Sequence, residues 1–160
     1  MGNMMTALPY NRLVLFVFLL LPLFAALGTA AAGEINASTF GKVAIEGTDP
    51  VAYFTEGHAV EGKKAHAVEW RGAVWRFSSE ANRKAFEAEP ARYAPQYGGY
   101  CAWAVSRGYS ASIDPKAWRI VDDKLYLNYS KNVQKDWQQD IVGNIAKGDA
   151  NWPKVKAELE

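Results

Sequence analysis

Cysteine is the scarcest reactive residue in this chain: one, Cys101, in 160 residues. A single thiol rules out an intramolecular disulfide framework and an all-cysteine zinc site within one chain. Histidine is nearly as rare, with only His58 and His66. There is no excess of positive charge, since Lys and Arg number 18 against 17 Asp and Glu. A nucleic-acid binder would gather a basic surplus into a patch, so that class is excluded. The Gly-x-Gly-x-x-Gly and Walker phosphate-binding patterns are absent, and no Ser-His-Asp arrangement is legible. No internal repeat, low-complexity block or long linker interrupts the chain beyond Gly33. Hydrophobic residues make up 49% and aromatics 13%, which excludes disorder. What remains is one small, aromatic-rich globular domain behind an unusual front segment.

That segment spans Met1 to Ala32. One charge, Arg12, precedes an apolar run from Leu13 to Gly28 broken only by Pro22. Ala30 and Ala32 then meet the small-x-small requirement of signal peptidase, so a secretory signal peptide cut after Ala32 is expected. The competing reading is an uncleaved anchor. The apolar run falls short of the roughly 20 residues that span a bilayer unless it extends through Ala32. No lipobox cysteine follows. Contact with a membrane is therefore expected only if the segment is kept, and the mature domain, 33–160, is expected to be periplasmic or secreted. Removal of 1–32 leaves 17 basic and 17 acidic residues and no methionine. A methionine-rich copper carrier is thereby excluded, because its soft thioether ligands are missing.

The mature chain reads as α+β, with small antiparallel hairpins covered by short helices. Phe40 to Glu46 is expected as a first strand. Asp49-Pro50 caps and starts a short helix through Phe54. His66, Val68 and Trp70 alternate with Ala65, Ala67 and Glu69, and Ala73 to Phe77 returns across Arg71-Gly72, which predicts a hairpin. Ser78 or Ser79 caps a helix to about Ala88, with Ala81, Ala85 and Phe86 inward, and Pro90 stops it. After a turn through Tyr93, Ala102 to Arg107 reads as a helix closed by Gly108. Trp118 to Val121 and Lys124 to Leu127 form a second hairpin across Asp122-Asp123. Ser130 caps a helix containing Val133 and Trp137. Asp140 starts a last helix through Ala146, and the tail after Pro153 is expected to fray.

Several of these residues carry a resemblance. Asp49-Pro50-Val51, His66-x-x-x-Trp70-x-Gly72-x-x-Trp75-x-Phe77-Ser78-Ser79, Phe86, Pro90 and Tyr93 resemble the YHS domain, which is similar to the TRASH-type metal-associated domains. Modules of that kind accompany copper-transporting ATPases and some monooxygenases. Tyr97-Gly98-Gly99-Tyr100-Cys101-Ala102, Ile113-Asp114-Pro115 and Leu125-Tyr126-Leu127-Asn128-Tyr129-Ser130 resemble a stand-alone exported bacterial subfamily of it. The chain is thus expected to hold a single YHS/TRASH-like domain with a C-terminal extension. The metal-associated relatives read Asp-Pro-Val-Cys near the start and Phe-Cys-Ser-x-x-Cys after the hairpin. Ala52, Ser78 and Asn82 stand at those cysteine positions here. With three thiolates gone, capture of a soft metal at that place is not expected. The resemblance also implies redox or soft-metal chemistry at Cys101, the position best suited to the selenocysteine associated with parts of that subfamily.

Cys101 has two readings from the residues themselves. It follows Gly98-Gly99 at the start of a predicted helix, where the positive end of the macrodipole lowers a thiol pKa. A reachable sulfur there would serve as a metal ligand, a ligand contact or a redox nucleophile. Alternatively it is a small buried hydrophobe between Tyr100 and Trp103. No Cys-x-x-Cys exists, so a thioredoxin-like cycle within the chain is out. His66 is the other candidate ligand, for a transition metal such as copper or zinc, and it competes with the reading of a packed, hydrogen-bonded core histidine. His58 reads as a solvated loop residue. Spacing does not support a joint site of Cys101, His66 and a carboxylate such as Asp49. The glycine pair reads as a tight turn beside aromatics. The aromatics Trp70, Trp75, Trp103, Trp118, Tyr126 and Trp137 read mostly as core, and a cleft among some of them would take an apolar or planar ligand. No catalytic constellation is recognisable. The functional expectation is an exported accessory or binding module whose partner is a small ligand, a metal or a periplasmic protein. Its rivals are a thiol redox protein and a purely structural domain.

Overall fold

The computed structural model describes residues 1–2 and 33–159. The signal-peptide expectation lies, save for its first two residues, outside the described ones. Among the described residues no helix is long and apolar enough to cross a membrane.

Two antiparallel hairpins organise the chain, each a separate two-stranded sheet. The first joins β1 (Lys63–Trp70) to β2 (Ala73–Phe77), with Val68 opposite Trp75 and Trp70 opposite Ala73. Its turn residues Arg71 and Gly72 both take positive φ, 49° and 71°, the backbone twist that two-residue hairpins need. The second joins β3 (Asp114–Val121) to β4 (Lys124–Asn128), again through two positive-φ residues, Asp122 and Asp123. Among the described residues six α-helices surround these hairpins: α1 (Ala52–Thr55), α2 (Glu80–Ala88), α3 (Pro90–Tyr93), α4 (Ala102–Ser106), α5 (Lys131–Gln138) and α6 (Ile141–Ala157). The α+β expectation holds. So do the cap assignments: Ser79 Oγ accepts from the Asn82 N–H, and Ser130 Oγ from the Val133 N–H.

The core explains the order of elements. β2 alternates buried and half-buried residues, so Trp75 and Phe77 face inward, where both meet Phe86 of α2 at ring distances of 5.2 and 5.1 Å. Tyr53 of α1 and Leu125 and Leu127 of β4 close the same cluster. Each such side chain contributes on the order of 1.5–3 kcal/mol when fully buried. A second cluster joins Tyr97, Val105, Tyr126 and Trp137, with Trp152 of α6 packed against it.

Three local expectations are corrected. Phe40 to Glu46 is not a strand. Gly41 and Lys42 turn the chain with positive φ, and only isolated bridges form, Ala37 with Ala44 and Val43 with Val74. Phe40 itself is exposed. Ala81 faces solvent, and Phe86 carries the inward face of α2. The tail after Pro153 does not fray, because α6 runs through it to Ala157. A proline inside a helix costs about 3 kcal/mol, so other contacts must hold that turn. Val155 is buried, Lys156 pairs with Glu34 at 2.9 Å, and Asn151 donates to the Val105 and Ser106 carbonyls at the end of α4.

Candidate functional site

Cys101 is placed by a tight turn that needs glycine at positions 98 and 99. Tyr97, Gly98 and Gly99 take φ values of 54°, 60° and 83° in succession. A Cβ on Gly99 would come within 2.6 Å of the Ile45 side chain. The chain then enters α4 with Cys101 as its first flanking residue, the Cys101 N–H bonded to the Ala111 carbonyl at 3.1 Å. The expected tight turn beside aromatics is what the backbone forms.

The sulfur is buried, the residue being 1% exposed. Its Sγ accepts from the Tyr129 N–H at 3.2 Å, and the thiol faces Asn128 Oδ1 at 3.9 Å. Asn128 Oδ1 also accepts from the Trp103 N–H, so strand β4 and helix α4 meet at this point. The expectation of a reachable sulfur with a lowered pKa is corrected. Burial pushes the Cys101 thiol up, and nearby backbone N–H groups of Ala104, Tyr129 and Trp103 offset this only in part. A helix of five residues offers too little macrodipole to reverse the loss of solvent.

Beside the sulfur lies a cleft of about 260 Å³. Cys101, Ala104, Ala111 and Val133 line it with the side chains of Trp103, Tyr109 and Tyr129. No charged side chain contributes to the wall. Tyr109 and Tyr129 are each more than half exposed. Trp103 is held from another side by Arg107, whose guanidinium carbon lies 4.0 Å from the ring centre. The sequence named Cys101 and Trp103 for this place but missed Tyr109, Tyr129 and Val133. Their one legible signal was the end of strand β4 at Asn128, which brings Tyr129 back beside the thiol.

His66 lies elsewhere in the network of contacts. Its Nδ1 is 3.4 Å from Glu80 Oε2 at the start of α2, and its side chain is 29% exposed. It is half-buried rather than a packed core residue. Arg83 holds the Glu80 carboxyl down to about 2, by hydrogen bonding and by charge, so the partner facing His66 is an anion at neutral pH. His58 is exposed beside the Glu56 carbonyl, as a loop histidine should be.

Asp49 does more than cap a helix. It is fully buried. One carboxylate oxygen accepts from the Val51 and Ala52 N–H groups at 2.8 and 3.3 Å. The other accepts from the Ser78 N–H and hydroxyl, both at 2.8 Å, and from Asn82 Nδ2 at 2.7 Å. Ala52, Ser78 and Asn82, apart in sequence, thus converge on one carboxylate. The donor set does not fit a soft metal. Ser78 and Asn82 present hydrogen-bond donors, and the carboxylate is already surrounded by five of them. Among the described residues no group of three or more His, Cys, Asp or Glu side chains is placed to hold a metal ion.

Residues 51–97 match the YHS domain family. The chain carries a YHS domain. That module is of the metal-associated type. No curated protein and no solved structure matches the chain. The YHS domain begins at α1, takes in the first hairpin, α2 and α3, and ends at Tyr97. Every residue lining the Cys101 cleft falls after it.

Proposed function

We propose that the protein is an exported binding or accessory module that holds a small uncharged ligand in the cleft beside Cys101. The signal segment, cut after Ala32, would deliver the mature domain to the periplasm or the exterior. The observation that carries the reading is the aromatic-walled, charge-free cleft with the lone thiol in its wall. Its volume is just below the ~300 Å³ at which pockets for whole small molecules begin, so the ligand is a one- or two-ring compound. A neutral, buried thiol contributes a soft, polarisable surface rather than a nucleophile. The protein contacts its ligand and does not transform it.

Titration of the mature protein with indole or p-cresol, followed by amide NMR, tests this. Shifts centred on Cys101, Tyr129 and Val133, abolished in Ala111→Trp, are expected. No shift at millimolar probe, or shifts unaffected by filling the cleft, would overturn it.

A further inference from the structure

A second concavity, of about 300 Å³, shares no lining residue with the Cys101 cleft. It lies between the turn of the first hairpin and helix α6. Trp70, Tyr97 and Trp152 give it aromatic walls, and Glu34, Arg71 and Asp149 bring two carboxylates and one guanidinium.

The Arg71 and Asp149 charges are both held in place. Arg71 sits in the β1–β2 turn, its guanidinium carbon 4.6 Å from the Trp70 ring centre, and it engages Glu34 through Nη1 at 3.0 Å. Glu34 is shared with Lys156, so one carboxylate faces two cations and the Arg71 charge is incompletely offset. Asp149 accepts from the Tyr97 hydroxyl at 2.9 Å. Among the described residues Asp149 forms no ion pair. Burial and the neighbouring Asp149 both push the Tyr97 hydroxyl up, so it remains a donor to that carboxylate at any physiological pH. Tyr97 is itself locked against α6, where a Cβ on Gly148 would strike its ring.

We propose that this pocket binds a small zwitterion, a free amino acid or a betaine. Its carboxylate meets the remaining N–H donors of Arg71, and its ammonium meets Asp149 beside the faces of Trp152 and Tyr97. Guanidinium groups match carboxylates in geometry as well as charge. Aromatic faces attract ammonium groups, quaternary ones included. A ligand with one charge only would leave unmatched either Asp149 or the net positive charge of the Arg71–Glu34–Lys156 cluster.

The test is calorimetric titration of the mature protein with L-phenylalanine and with glycine betaine. L-Phenylalaninamide and N-acetyl-L-phenylalanine serve as the cation-only and anion-only analogues. The zwitterion is expected to bind about tenfold or more tightly than either analogue, as loss of a charged hydrogen bond implies. The tighter of phenylalanine and betaine tells a primary from a quaternary ammonium. Asp149→Asn keeps an acceptor for Tyr97, and it should weaken the zwitterion about tenfold while leaving the acetylated analogue unchanged. Arg71→Gln should do the converse with the amide. If either variant fails to fold, the ranking of analogues on the unaltered protein decides. Absence of zwitterion binding up to about 10 mM, above the range of specific small ligands, would overturn the proposal, as would equal affinity for all three phenylalanine compounds.

Discussion

Removing the Asp49 carboxylate should be among the most damaging single changes in the domain. In Asp49→Ala, the Val51 and Ala52 N–H groups lose their side-chain acceptor inside the protein, both residues being about 1% exposed or less. Ser78 loses the acceptor for its N–H and hydroxyl, and Asn82 keeps only its longer contact to Ser78 Oγ at 3.3 Å. An orphaned buried donor costs about 1–3 kcal/mol. Ser78 and Asn82 are half-buried and recruit water, so the two fully buried backbone groups dominate, and relief of a buried charge offsets part of the loss. The net expectation is about 3–5 kcal/mol, a third or more of the ~5–15 kcal/mol stability of a typical domain. Asp49→Asn retains one acceptor oxygen but turns an amide donor toward other donors, and should cost about 2–3 kcal/mol. Urea unfolding of residues 33–160, read by tryptophan fluorescence, measures both. Glu89→Ala, which breaks only an exposed 3.6 Å pair with Arg92, is the reference and should cost well under about 1 kcal/mol. An Asp49→Ala midpoint shift as small as that of Glu89→Ala, with an unchanged slope, would refute the keystone role of Asp49.

Two further outcomes are expected. Cys101 in the folded protein should alkylate with iodoacetamide far more slowly than a free thiol between pH 6 and 9, and label fully on denaturation. Its folded pKa is raised, so its contribution to stability is complete below the ordinary thiol pKa of about 8.5 and fades as pH rises through the raised value. Free-thiol rates at neutral pH would contradict the burial and favour the redox alternative. The triple variant Ala52→Cys, Ser78→Cys, Asn82→Cys should take up zinc or copper(I) where the wild type does not. The three positions already meet around Asp49, and no gain in metal uptake on dialysis would mean that they are not the module's ligand positions.

What could be read from the sequence was local. Both hairpins showed because period-2 alternation sits on either side of a two-residue turn, at Arg71-Gly72 and Asp122-Asp123. Helices α2 and α5 showed because Ser79 and Ser130 satisfy backbone donors three residues ahead. The errors were all decided by distant contacts. Residues 40–46 have a strand-like composition, yet positive φ at Gly41 and Lys42 limits them to single bridges, including one to Val74. Pro153 ends a helix by local rules, but contacts from Val155 to the core and from Lys156 to Glu34 carry α6 past it. The Cys101 pKa turned on exposure. The burial that sets it comes from residues up to 32 positions away in sequence, which no periodicity reports.

The same contrast bears on where function resides in this chain. In the YHS domain, Ala52, Ser78 and Asn82 are tied to a buried carboxylate. Every polar atom that Ser78 and Asn82 direct at Asp49 is a donor already in use. A site closed in this way stiffens the junction of α1, β2 and α2 and has no vacant ligand position. The open concavities use residues that follow the domain: Trp103, Tyr109 and Tyr129 at one, Asp149 and Trp152 at the other. Only the second also draws on the domain itself, through Trp70, Arg71 and Tyr97. Both proposed ligand sites thus need residues beyond the matched segment, and neither uses the carboxylate-tied Ser78 and Asn82.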